Sequence, residues 1–168
     1  MIIKTSKNRP DLTFEKEIWE KGFKNIAGLD EVGRGSFAGP VVAGCVVFNK
    51  GIKVPVDLRI DDSKKLSSKQ RHEAEAWIIE NALFYSVGEV SARVVNREGV
   101  TKATHTAFRR AVKGADDLSQ ERIEYLLIDA FYIPYFRGFP SKNNVRQRAI
   151  KKGDSRSLSI AAASIIAK

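Results

Sequence analysis

Four acidic residues stand in this sequence where carboxylate chemistry is feasible. Asp30 and Asp129 each end an apolar run, residues 25–30 and 125–129, and Asp154 lies between a short strand-like segment and an alanine- and isoleucine-rich one. Glu31 adjoins Asp30. Such runs read as buried strands, and acids delivered at element ends from separated segments are how α/β sheets build a site in the crevice at their strand ends. Each acid taken singly reads equally well as a turn residue or a helix cap. Carboxylates brought together repel, and a divalent cation stabilises their ionised forms; an all-oxygen donor set selects Mg²⁺ or Mn²⁺ over zinc. Asp154 is the one acid among eight basic side chains in residues 137–168, which predicts a depressed pKa, suited to a metal ligand or a salt bridge.

The adjacent pair sets a geometric condition. Successive side chains on a strand alternate between faces, so Asp30 and Glu31 reach one ion only if the chain bends there. Gly33, Gly35 and Gly39 make that bend feasible. No histidine and cysteine set has zinc-ligand spacing; His72 and His105 fall within amphipathic helices and read as solvated or satisfied. Cys45, inside the apolar run 41–48, reads as a buried thiol, and a lone cysteine fits a reducing, cytoplasmic setting.

Strands and helices alternate around these positions. Strands are expected at residues 25–30, 41–48, 83–90, 125–129 and 146–150. One helix starts at Ser68, because Ser67 and Gln70 have capping-box spacing and Ala74, Trp77, Ile78 and Ala82 share a face. A second covers residues 96–113, with a stripe of Val100, Ala103, Thr104, Ala107, Phe108 and Ala111, stopped by Gly114. A third covers residues 155–168 and is apolar nearly all round, which predicts burial. With no glycine, asparagine or proline stop, its end is expected to fray, with Ile165 and Ile166 exposed. Helices flanking a buried sheet make a three-layer α/β domain, and 168 residues fit one domain, residues 1–168.

Lys and Arg number 29 against 20 Asp and Glu, a net charge of +9 and a pI near 9.7. That balance favours a polyanionic partner through phosphate contacts and counterion release, although ribosomal and membrane-surface proteins share it. Lys4, Lys7, Arg9 and Pro10 are followed by no apolar segment, so no secretory signal is expected. The longest apolar runs are far shorter than the roughly 20 residues of a membrane span. Phe131, Tyr132, Tyr135, Phe136 and Phe139 form an aromatic cluster read chiefly as core and rim packing, with base stacking the alternative.

The segment Ala27-Gly-Leu-Asp-Glu-Val-Gly-Arg-Gly-Ser-Phe-Ala-Gly-Pro40 resembles the opening signature of ribonuclease HII. Asp61-Asp-Ser-Lys-Lys-Leu-Ser67 looks like that family's substrate-side loop, Leu127-Ile-Asp129 like its third-acid strand, and Lys152-Gly-Asp-Ser-Arg-Ser157 with Ser159-Ile-Ala-Ala-Ala-Ser-Ile-Ile-Ala-Lys168 like its fourth-acid segment. The resemblance implies a ribonuclease H-like three-layer fold, a mixed central sheet flanked by helices. It implies hydrolysis of the RNA strand of RNA/DNA hybrids, and of ribonucleotides embedded in DNA, in replication and repair. The implied mechanism uses two Mg²⁺ or Mn²⁺ ions held by Asp30, Glu31, Asp129 and Asp154 and leaves 5′-phosphate and 3′-hydroxyl ends. Gly33, Arg34 and Gly35 match the family's ribonucleotide sensor, and Lys64 its substrate loop. Arg97, Lys102 and Arg109 are further phosphate-contact candidates. Protein partners stay open.

Two features depart from the family. Ala130 stands where many relatives have glycine after the third acid, a change expected to be mild. Relatives also continue past the positions of Ala167-Lys168 into helices carrying a junction-recognising tyrosine, and Tyr85, Tyr125, Tyr132 and Tyr135 all lie upstream. The C-terminal helices of the family are thus expected to be absent, and cutting at single embedded ribonucleotides is in question. Ribonuclease HIII is the nearest enzymatic alternative, and an inactive hybrid-binding protein the alternative of another class.

Overall fold

The structure, a computed structural model, describes residues 9–35, 39–119, 122–139 and 146–168. Lys4 and Lys7, residues 36–38 of the opening motif and Pro140 lie outside the described residues. The order is α1 (Thr13–Glu20), β1 (Ile26–Val32), β2 (Val41–Val47), α2 (Ser68–Asn81), β3 (Phe84–Val90), α3 (Ala92–Glu98), α4 (Val100–Leu118), β4 (Tyr125–Asp129), β5 (Gln147–Ile150) and α5 (Leu158–Ile166). The strands form one mixed sheet, β3-β2-β1-β4-β5. Pairing is antiparallel from β3 through β2 to β1 and parallel from β1 through β4 to β5. The expected strands are all present, each within about two residues of its expected ends.

Period-two alternation divides the two faces. Ala27, Leu29, Ala43, Cys45 and Val47 join Ala103, Ala107, Phe108 and Ala111 of α4 in one core. On the other face Val46 packs with α2 and α5, and Ile26, Leu127 and Ile150 pack with Phe14, Ile18 and Trp19 of α1 and Ile160 of α5. Three layers result, as expected. Cys45 is fully buried. Among the described residues no helix is long and apolar enough to cross a membrane.

Helix α5 lies against the sheet so closely that only glycine fits beneath it. A Cβ on Gly28 would come 2.1 Å from the backbone carbon of Ser159, and one on Gly44 would come 2.2 Å from the carbonyl oxygen of Ala163. Nine residues make a marginal helix in isolation. Packing stabilises this one: every residue from Leu158 to Ile165 is buried, and each large aliphatic side chain so buried contributes about 1.5–3 kcal/mol.

Several expectations are corrected. The helix expected over residues 96–113 is two helices broken at Gly99, and α4 continues through Gly114 to Leu118. Gly114 is not a stop: a Cβ there would press on Ser86 of β3 at 3.3 Å, so its smallness serves helix-on-strand contact. The last helix begins at Leu158, not at 155, because a 3₁₀ turn, Gly153–Ser155, precedes it and Ser157 caps it by accepting from the Ile160 N–H. Ile165 is only 2% exposed and Ile166 half-buried, since α2 and the β2 face already cover them. Nor is the last turn open: the N–H groups of Ala167 and Lys168 donate to Ala163 and Ile165. Helix α1 was not anticipated, although Phe14, Ile18 and Trp19 have helical spacing and the Asp11 carboxylate accepts from the Thr13 N–H at its start.

Candidate active site

Parallel pairing of β1 with β4 runs from Ile26↔Tyr125 to Leu29↔Ile128. Asp30 and Asp129 are the next residue on each strand, so the acids stand side by side on the face that α5 covers. The turn after β5 brings the third segment in. There the Gly153 N–H donates to Asp129 Oδ1 at 2.6 Å, which places Asp154 beside the strand ends. This turn forms because Lys152 takes a left-handed conformation (φ 56°) and the Ser155 and Arg156 N–H groups close back onto Lys152 and Gly153.

The bend expected at Asp30-Glu31 does not occur. Strand β1 continues through Val32, pairing Asp30↔Gly44, Glu31↔Ala43 and Val32↔Val42, and the chain turns only at Gly33 (φ 96°). Hydrogen bonding to β2 holds the strand straight, so the two acids leave it on opposite faces. The Asp30 carboxylate curls forward to accept the Glu31 N–H at 2.8 Å. A Cβ on Gly33 would meet the Pro40 carbonyl at 2.1 Å, whereas one on Gly35 would meet nothing within 4 Å among the described residues. Only the first of the two glycines is required by the turn.

All four acids are pushed above the usual carboxylate range. Asp30 rises to about 8 through burial, then through the charges of Glu31 and Asp129. Glu31 rises to about 7, again first through burial, against the opposing pull of Arg34. Asp129 and Asp154 are raised by burial, and the negative charge of Asp62 adds to both. For Asp154 this reverses the expected depression. Burial and the carboxylates of Asp62 and Asp129 outweigh Lys64 and Lys65.

The acids do not close on a ligand geometry as they stand: among the described residues, no three histidine, cysteine, aspartate or glutamate side chains are grouped to hold an ion. Four mutually raised carboxylates repel when ionised and approach further only around a cation. The donor set fits one. Among the described residues Glu31 Oε2 is buried without a hydrogen-bond partner, a state that costs free energy unless a cation or proton satisfies it, and oxygen-only donors suit a hard divalent ion.

Basic groups line the rim. Arg34 pairs with Glu31 at 3.5 Å and lies over the Phe131 ring at 4.9 Å. Lys64 is exposed yet within electrostatic reach of Glu31, Asp129 and Asp154. Its turn is fixed by the Asp62 carboxylate, which accepts the Lys64 N–H, and by the Ser63 N–H, which donates to Ser164 Oγ of α5. Beneath it Asp61 is buried; burial alone would raise its pKa, but Arg59 and Lys65 hold it below the usual range. The sequence reading missed Asp62 as a fifth acid and Asp61 as a buttress, because adjacent aspartates in a motif do not reveal which one turns inward.

Arg97 pairs with Glu98, and Arg109 donates to the Pro134 carbonyl; both lie on the α3–α4 side with exposed Lys102. His72 is solvent-exposed near Glu75, and half-buried His105 rests edge-on to Phe131. Phe131 and Phe136 pack on the core and Phe139 is in it, as the packing reading expects, but Tyr135 is 99% exposed.

The sequence model of the Ribonuclease HII family matches residues 27–168. The chain is 43% identical, over 92% of its length, to "Ribonuclease HII" of Caldanaerobacter subterraneus subsp. tengcongensis, and spans 58% of that protein. Among solved structures it resembles the ribonuclease H2 from Pyrococcus horikoshii OT3, with TM-score 0.68 and 26% identity over 85% of this chain and 70% of that one. It resembles Bst-RNase HIII in complex with Mn²⁺ nearly as well, with TM-score 0.67 and 27% identity over 86% of this chain and 50% of that one. The fold thus does not separate the two ribonucleases, but the sequence match does. With its acids on adjacent strand ends of a ribonuclease H-like sheet, the chain belongs to the ribonuclease HII family.

Proposed function

We propose that this chain hydrolyses the RNA strand of RNA/DNA hybrids, and of DNA carrying embedded ribonucleotides, as an endonuclease that leaves 5′-phosphate and 3′-hydroxyl ends. The observation that carries the reading is the Asp30 carboxyl, raised to about 8 beside the buried, unpartnered Glu31 Oε2. Carboxylates placed in this way are satisfied by a divalent cation or by protons. Asp30, Glu31, Asp129 and Asp154 would hold two divalent ions, Mg²⁺ or Mn²⁺, which when bound supply an activated water and neutralise charge on the leaving 3′ oxygen.

The chain's own groups bind and orient the strand. Lys64, exposed on a turn pinned to α5, offers an ammonium to a phosphate. Arg34 and the side-chain-free Gly35 let the backbone approach a ribose, whose 2′-hydroxyl separates RNA from DNA. The net charge of +9 favours encounter with any nucleic acid, without sequence preference. Family membership supports this reading over a ribosomal or membrane-surface role.

The test is incubation with a labelled RNA/DNA hybrid and Mg²⁺ or Mn²⁺, with end-group analysis of the products. Expected is cleavage giving 5′-phosphate ends with either metal. Retention of hybrid on a filter without cleavage under both metals would overturn the reading in favour of a hybrid-binding protein.

A further inference from the structure

Outside the acid cluster lies a buried carboxylate that the site does not explain. Glu15 of α1 is 1% exposed. Its Oε1 accepts from Ser157 Oγ at 2.6 Å, from Ser159 Oγ at 2.6 Å and from the Ser159 N–H at 3.0 Å. Its Oε2 is buried with no partner among the described residues. A carboxylate taken out of water is costly, and a short helix such as α1 does not require one, since Phe14, Ile18 and Trp19 already bury its apolar face.

What Glu15 holds is the segment that carries Asp154. Ser157 caps α5 by accepting the Ile160 N–H, and it donates its own hydroxyl proton to Glu15, so one carboxylate oxygen fixes both the cap rotamer and the first turn of α5. Backbone bonds join the same elements: the Asp11 N–H donates to Arg156, and the Leu158 N–H donates to Asp11. The Arg156 guanidinium lies over the Phe14 ring at 4.9 Å. Upstream, the turn is tied by the Gly153 N–H to Asp129 Oδ1 and by the Ser157 N–H to the Gly153 carbonyl. Asp154 therefore sits on a short span with two anchors, Asp129 on one side and Glu15 on the other. On the inner side Ser159 is pressed against Gly28, two residues before Asp30, so a shift of this span is felt at both acids.

We propose that Glu15 is a positioning residue for the divalent-ion site, setting through Ser157 and Ser159 the placement of Asp154 relative to Asp30 and Asp129. The inference rests on the metal reading of the four acids. Glu15 acts as a hydrogen-bond acceptor in this role, so a glutamine, which keeps an acceptor oxygen at the same place, serves nearly as well, whereas an alanine does not.

The experiment is titration of the folded full chain with Mn²⁺ in the absence of substrate, followed by the paramagnetic signal of free Mn²⁺, for the wild type, E15Q, E15A, D154N and E15A/D154N, with thermal melting alongside. Expected are binding within about twofold of wild type in E15Q, at least about tenfold weaker binding in E15A, and little further loss when E15A is added to D154N. A folded E15A that binds Mn²⁺ like the wild type, while melting lower, overturns the proposal and leaves Glu15 a fold latch. If E15A does not fold, S159A decides in its place: weakened Mn²⁺ binding supports the proposal and unchanged binding overturns it. D154N that binds as tightly as the wild type overturns the metal reading itself, and this proposal with it; D154N weakened beside E15A unchanged overturns this proposal alone.

Discussion

The backbone N–H of Gly153 donates to Oδ1 of Asp129 at 2.6 Å, joining the segment of the fourth acid to the strand end of the third. A Cβ at position 153 would come 2.6 Å from Ile160 Cδ1 and 3.3 Å from that same Asp129 oxygen. The variant G153A is expected to lose about 1–3 kcal/mol of stability by overpacking and to weaken divalent-ion binding. Because the nearest obstacle is the tip of a flexible side chain, adding I160V should restore much of the stability but not the binding. Thermal melts and Mn²⁺ titration of the three proteins check both statements.

In the proposed mechanism Asp129 serves as a metal ligand rather than a nucleic-acid contact. D129N removes a ligand charge and leaves the basic rim of Lys64 and Arg34 intact. Cleavage of a hybrid is expected to fall by at least about a thousandfold, on the scale seen when a group acting in the transition state is removed, while hybrid binding in a filter assay changes less than threefold. Parallel loss of binding and cleavage would show that the acid serves the fold or the strand instead.

The raised acids fix a pH dependence. Folded values of about 8 for Asp30 and about 7 for Glu31 lie above those of the unfolded chain. Their contribution to stability is thus fully present near pH 4 and is lost as pH rises through about 8. Without metal, the melting temperature is expected to fall across that window, and less steeply in D30N. A divalent ion must displace these protons, so Mg²⁺ binding should tighten with pH up to about 8, by up to roughly tenfold per pH unit for each proton displaced. A Mg²⁺-induced melting shift equal at pH 6 and pH 8 would contradict the assignment.

Ala130 follows the third acid with φ 64°. The left-handed region costs a residue with a Cβ about 1–2 kcal/mol, more than the mild effect expected of the alanine at this strand end. Glycine relieves that strain but adds about 0.5–1 kcal/mol of unfolded-state entropy. A130G is accordingly expected to stabilise by roughly 0.5–1 kcal/mol, read from urea denaturation at unchanged m-value.

Arg34 is held between Glu31 and Phe131. R34A is expected to lower the preference for RNA/DNA hybrid over DNA duplex several-fold while leaving the fold intact, and G35A, whose Cβ meets no described residue within 4 Å, should be as stable as the wild type. G33A should be strongly destabilised by its left-handed backbone and the Pro40 carbonyl. Selectivity assays and melts on the three variants separate a ribose contact from a simple turn.

Much was legible from order along the chain. Alternating apolar runs determined the five strands, Ser67 and Gln70 announced the observed capping box of α2, and the burial of Cys45 followed from its run. The acids at 30, 31, 129 and 154 were identifiable because strand ends and motif spacing are local properties. Tertiary structure decided whatever depends on approach between distant segments. The all-apolar last helix left open which surface would cover it, and Gly28 and Gly44 decided that by admitting α5 onto the sheet. Gly114 looked like a helix stop because a glycine's role depends on what lies opposite it, here Ser86. The pKa of Asp154 followed neighbours in space, Asp62 and Asp129, rather than neighbours in sequence. Glu15, unremarkable among the surface-like charges of residues 15–21, is buried because α1 docks on the start of α5, a contact across 142 residues that no periodicity encodes.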